Sequence, residues 1–277
     1  MATRTWAGDD ATTPYDWSVA GNWVEGSVPV STDDVVIPAG SQKITAGLNQ
    51  SAVTLNSLTV NSGYVQSIGA SSGALQVAVA TGTNVFLSPT GGTQYFDFGA
   101  SAVDVEVLGT GSPSTGFSAV NVVGSALDVV TLYNGSLGIA RIAGETATVA
   151  TLNVNAGALY TGSGATVTNL NSYGGSTANY SGATTIKIYG GTVNAPQGTN
   201  ATVNVIGGTF RSSSSSTITT LNLDAGLADF SVGSVPRTVT TVNVAGERDC
   251  TLAYDPGVLT ITTLNQPSRP YTLSWRV

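Results

Sequence analysis

Ile186-Lys-Ile-Tyr-Gly-Gly191, Val203-Asn-Val-Ile-Gly-Gly208 and Leu221-Asn-Leu-Asp-Ala-Gly226 are copies of one six-residue pattern: apolar, any, apolar, two variable positions, then glycine. Working outward, the pattern recurs as Leu58-Thr-Val-Asn-Ser-Gly63, Leu152-Asn-Val-Asn-Ala-Gly157, Leu170-Asn-Ser-Tyr-Gly-Gly175 and Val242-Asn-Val-Ala-Gly246, and Leu259-Thr-Ile261 begins a further copy. From Leu152 the starts are 18, 16, 17, 18, 21 and 17 residues apart. Apolar alternation makes a short strand with one buried face, and the glycine lets the chain turn sharply. A period near 18 residues gives a coil of two or three such strands. Stacked coils bond each strand to its equivalent above and below at about 4.8 Å. The expected fold is all-β: a right-handed parallel β-helix, a solenoid, with a Trp-rich N-terminal cap.

Between residues 64 and 145 the pattern loosens. Leu75-Gln-Val77, Val105-Glu-Val107, Val120-Asn-Val122 and Val130-Thr-Leu132 match it at irregular spacing, which implies coils with longer loops. Eleven to thirteen coils would stack into a rod on the order of 50–60 Å long. Asn153, Asn171, Asn204, Asn222 and Asn243 follow the first apolar residue of their strands, so equal residues in register would form amide ladders. Consecutive Ig-like sandwiches are the alternative fold, disfavoured by the short period and the lack of domain-scale linkers.

Composition agrees. Of 277 residues 9% are charged and 41% hydrophobic, a poor recipe for helices and equally poor for disorder. The net charge is −7, and the only lysines are Lys43 and Lys187. Without a basic face to displace phosphate counterions, nucleic acid is not an expected partner. No apolar run reaches the roughly 18 residues of a membrane span, so no membrane partner is expected either. A single cysteine, Cys250, rules out an internal disulfide. The first residues lack the basic region and apolar run of a secretory signal, which points to synthesis in the cytoplasm.

A solenoid must close its two open ends. Trp6, Trp17, Trp23 and Trp275 all lie near the termini, where a large aromatic can cover an exposed core section. The expected division is a capping or docking module over residues 1–45, the β-helix over 46–265, and a cap or arm over 266–277. The N-terminal block runs Trp6-Ala-Gly8, Tyr15-Asp-Trp17, Gly21-Asn-Trp23-Val-Glu-Gly26, Pro29 and Asp33-Asp-Val-Val-Ile-Pro38. It resembles the segment that opens β-helical surface proteins of the autotransporter-passenger type, and β-helical virion structural proteins (decoration or fibre proteins) of tailed bacteriophages. The likeness covers residues 6–38 and implies display or scaffolding.

Chemistry is sparse. There is no histidine, which removes Ser-His-Asp and Cys-His sites and most zinc sites. Cys250, in Arg248-Asp-Cys-Thr-Leu252, reads as a small core residue, and Gly109–Gly116 lacks the lysine of a phosphate loop. Asp104 and Glu106 would share one strand face at about 6–7 Å, a separation suited to inverting glycosidases, although acids alternating with valine usually mark a solvated face. Asp224 with Asp229 and Asp249 with Asp255 are weaker pairs. Calcium at Asp9-Asp10 or Asp33-Asp34 lacks a loop spacing to support it. No cofactor and no metal are expected.

The expected function is therefore non-enzymatic: a virion protein of a tailed phage, foremost a capsid-surface decoration or cement protein located on the virion surface. A tail fibre, spike or receptor-binding protein, a bacterial adhesin passenger and a β-helix polysaccharide lyase or hydrolase are the alternatives. Expected partners are a capsid or other virion protein and further copies of the chain, with a trimer as first candidate. A surface glycan is left open. Docking is assigned to Trp6, Trp17, Trp23, Asp33 and Asp34 at one end and Tyr271 and Trp275 at the other.

Overall fold

The computed structural model describes residues 2–82, 84–111, 119–245, 249–266 and 272–275, with residues 84 and 272–275 described as backbone alone. The chain is all-β: the described residues form twenty-four strands and one short 3-10 turn at Ala20–Asn22. Among the described residues every strand pairing is parallel, as a stack of coils requires. The fold is the parallel β-solenoid that the repeat predicts.

From Asp34–Ile37 onward the coils contribute a strand to each of two sheets. Ala165–Ser172, Gly182–Ile188, Thr199–Val205, Ile218–Leu223 and Arg237–Val244 lie in order in the first sheet. Ser176–Asn179, Thr192–Ala195, Thr209–Ser212 and Gly226–Phe230 alternate with them in the second. The 13-residue strand Val120–Leu132 serves both: its first half pairs with Gln94–Asp97 in the second sheet and its second half with Asp104–Val107 in the first. From Thr3–Thr5 to Leu259–Asn265 the first sheet makes twelve inter-strand steps of about 4.8 Å, a column of about 58 Å.

Two readings of the repeat are corrected. Leu75–Val79 and the Val120–Val122 segment belong to the second sheet, so matching them to first-sheet copies produced much of the apparent irregularity. At the far end Val242 pairs with Leu264, while Leu259 pairs with Arg237. The copy after Val242 is therefore centred on Leu264-Asn265. The sequence favours Leu259 because Leu-Thr-Ile alternates, but β-strand register is set by the neighbouring rung.

The core is one continuous column. Leu58, Val85, Val105, Val130, Leu152, Leu170, Ile186, Val203, Leu221 and Val242 stack inside it, all buried. The cap is joined to it. Thr3–Thr5 and Asp34–Ile37 are already the first two rungs of the first sheet, so residues 2–45 are the beginning of the stack.

The turn glycines explain the tight stacking. Gly191 has φ +72°, and a Cβ there would lie 2.5 Å from the Gly175 carbonyl oxygen of the coil below. That oxygen accepts the Thr192 N–H at 3.0 Å. Two main chains approach where only hydrogen fits.

The outer face of the first sheet carries the amide ladder. Asn222 donates to Asn204, Asn243 to Asn222 and Asn265 to Asn243, each at 2.7 Å. Below them Asn171 donates to Asn153 at 3.0 Å. Lys187 stands between Asn171 and Asn204 in the register and splits the ladder in two.

Candidate functional site

The N-terminal tryptophans meet in one cluster. Trp6 and Trp17 stack with centroids 6.3 Å apart, and Trp23 packs edge-on against both, at 5.1 and 4.7 Å. Their indoles are anchored: Trp6 Nε1 donates to the Gln42 carbonyl and Trp23 Nε1 to the Trp17 carbonyl, both at 2.8 Å. All three are at most 2% exposed. This corrects the docking role expected of them, because a side chain with no surface cannot touch a partner. They fill the end of the core, and the solvent side of the cap carries Val24 and Val30 instead.

Asp33 and Asp34 both bond within the chain, Asp33 buried and Asp34 half-buried. Asp33 is buried, pairs with Arg4 Nε at 2.8 Å, and accepts the N–H groups of Ala2 and Val30. Arg4, itself steadied by Ser27, holds the Asp33 carboxyl below the usual aspartate range. Asp34 accepts from Ser57 Oγ and Asn56 Nδ2, which lower it in the same way. Both acids tie the first coils together. Tyr271 lies outside the described residues. Trp275 is placed by its backbone alone, paired with Tyr254 on the last rung of the second sheet.

Asp10, Asp104 and Asp229 have structural employment too. Asp10 Oδ1 accepts from the backbone of Thr12 and Thr13, which holds the carboxyl at about 2. Asp104 and Glu106 share the outward face of their strand as expected, and Asp104 accepts the Val129 N–H of the next coil at 3.1 Å. Asp229 is buried, faces Arg211 at 3.5 Å and holds Ser231. Cys250 is buried in the core, and burial, together with Asp224 and Asp249, pushes its thiol up, away from a reactive thiolate. Arg248 and residues 112–116 of the glycine-rich loop lie outside the described residues. Among the described residues no cluster of three or more His, Cys, Asp or Glu is placed to hold a metal ion, and no helix is long and apolar enough to cross a membrane.

The feature that sequence reasoning missed is a line of three hollows beside the second sheet. The first, of about 410 Å³, is lined by Ser51, Gln76, Asp97 and Ser101 among others. The second, of about 400 Å³, shares Gln76 and Asp97 with it and reaches Glu145. The third, of about 510 Å³, shares Glu145 and adds Arg141, Tyr160, Tyr180 and Gln197. Shared walls make them one groove along the rod.

The floor of the third hollow is aromatic. The Arg141 guanidinium lies 4.8 Å from the Tyr160 ring centre, and Tyr160 and Tyr180, one coil apart, stack at 4.9 Å with a 30° tilt. The loop that raises Arg141 and Glu145 over this floor begins at Ala140, whose φ of +44° is unusual for a residue with a side chain. Glu145 closes the loop by accepting the Ile142 N–H at 2.9 Å. Burial raises the Glu145 carboxyl, and the charge of Asp97 adds to the rise. The same loop reaches Tyr95, whose phenol is raised by burial and by Glu145 and lowered by Arg141.

Asp97 and Glu145 are far apart in sequence, and the tyrosines belong to different coils. Only the fold brings them together. The one sequence signal was the recurrence of tyrosine at 160 and 180, close to the coil period. No family model matches the chain, and no curated protein or solved structure matches it.

Proposed function

We propose that the chain is a passive structural rod of a virion, a capsid-surface decoration or cement protein of a tailed phage, with no catalytic role. The observation that supports this best is the unbroken stack. Each coil satisfies its amides with the next, a single core runs its length, and Asp34 and Asp104 tie neighbouring coils together. Such a column is stiff and offers proteases few unpaired segments. The resemblance of residues 6–38 to the opening segment of β-helical virion proteins supplies the virion setting. A protein that binds only the assembled shell stabilises it by mass action. Copies of the chain, three as first choice, would be arrayed on that shell.

The groove favours one second reading, a fibre or receptor-binding protein, because a decoration protein has no need of a lined cleft. Mass spectrometry of purified extracellular particles from the producing cells, with immunogold labelling of the chain, tests the proposal. The chain is expected in the particles, with label over the shell. Label on the tail tip favours the second reading, and recovery only in the cell-envelope fraction overturns both in favour of an adhesin.

A further inference from the structure

We infer that the groove along the second sheet, from Gln76 and Asp97 through Glu145 to Tyr160 and Tyr180, is a binding site for a linear, uncharged oligosaccharide. The inference stands whether or not the rod belongs to a virion.

Shape comes first. The lining runs from Ser51, in Asn49–Leu55, to Gln197, just past Thr192–Ala195. These strands are seven rungs apart in the second sheet, which is about 34 Å at the strand spacing. A compact metabolite would need one enclosed pocket. A line of open, connected hollows fits a chain-like ligand.

The walls decide which chain. A polyanion would need a run of cations to displace its counterions. Of the charged groups lining the three hollows, two are acids, Asp97 and Glu145, and one is a base, Arg141. An extended peptide binds by adding a strand to an open sheet edge. Here the strands beside the groove are paired on both sides, so no edge is offered.

What the walls do offer is a stacked tyrosine pair, Tyr160 and Tyr180, within a rim of amide, carboxylate and guanidinium groups from Gln76, Asp97, Arg141, Glu145 and Gln197. A pyranose has that complementary character, with C–H groups to pack against the stacked aromatic pair and hydroxyls for the polar rim. Tyrosine suits both parts, being apolar in body and polar at its tip. Arg141, stacked against Tyr160, is pre-positioned to donate.

The test is a printed array of linear bacterial, plant and algal oligosaccharides probed with the full chain, followed by titration of the best binders. Binding to at least one uncharged linear series is expected. Tyr160→Ala with Tyr180→Ala should weaken it about tenfold or more, the loss of one good contact, and Arg141→Ala should weaken it as well. The exposed stacked pair Tyr173 and Tyr189, centroids 4.9 Å apart at another corner of the rod, supplies the control. Its double alanine variant should bind as the parent does. Circular dichroism and melting confirm that each variant is folded. Failure to bind any array member overturns the inference. So does binding confined to acidic glycans, equal loss in the control, or shortening of the bound sugar, which would make the groove catalytic.

Discussion

Replacing Gly191 by alanine tests the stacking argument directly, because a second glycine supplies the matched control. Both Gly191, φ +72°, and Gly40, φ +78°, sit in the left-handed region. Alanine there costs about 1–2 kcal/mol at either site. At Gly40 a Cβ meets nothing within 4 Å, so the cost ends there. At Gly191 the Cβ would lie 2.5 Å from both the Gly175 oxygen and the Gly174 carbonyl carbon, which are backbone atoms held by the coil below. Overpacking against atoms that cannot move away adds about 1–3 kcal/mol. The expected destabilisation is about 2–5 kcal/mol for Gly191→Ala and about 1–2 kcal/mol for Gly40→Ala. Urea unfolding followed by circular dichroism measures the two midpoints against the parent, with unchanged slopes confirming that the comparison is fair. Equal midpoint shifts would refute the claim that main-chain contact between coils, rather than turn geometry alone, demands glycine.

Three further outcomes are expected. Lys187→Asn should bridge the two halves of the amide ladder and add about 1 kcal/mol of stability, with Lys187→Ala as the neutral reference; equal midpoints for the two variants would deny the ladder any energetic role. Asp33, held below its ordinary value of 3.8 by Arg4, contributes stability that is present above that value and lost as pH falls through the lower folded one. Tryptophan fluorescence of the cap should therefore report loosening on acidification below pH 3.8, and Asp33→Asn should flatten that profile; an unchanged profile would remove Asp33 as its source. Cys250, buried and pushed up by its surroundings, should resist a thiol reagent at pH 8 until the chain is denatured, and prompt stoichiometric labelling of the folded protein would contradict its place in the core.

The regular half of the molecule was legible in its first-sheet strands. The second-sheet strands between them, such as Ser176–Asn179 and Thr209–Ser212, do not alternate two large apolar residues, so Leu152, Leu170, Ile186, Val203, Leu221 and Val242 stand out, and all six share one column. Between residues 64 and 145 the second sheet's strands carry the same alternation, so Leu75 and Val120 were indistinguishable from first-sheet copies until pairing assigned them. The cap was legible as a place for tryptophans but not in its orientation. Aromatic size predicts burial and interface contact equally well, and only coordinates show that Trp6, Trp17 and Trp23 pack on one another. The groove was illegible for a topological reason. Asp97, Glu145 and Tyr180 come to line one groove only once the coil lengths between them are fixed, and those lengths are set by loops that carry no periodic signal.

The matched registers of Gly182–Ile188, Thr199–Val205 and Ile218–Leu223 carry an evolutionary consequence. Each of these rungs meets only its two immediate neighbours in its sheet, so a tandem duplication of a single turn would present the same surface above and below as the turn it copies. The molecule can thus grow or shrink by whole units of about 4.8 Å. Its tryptophan-filled beginning would stay intact, and so would the groove, provided the new turn enters above Gln197. Length is the property this architecture leaves freest to drift.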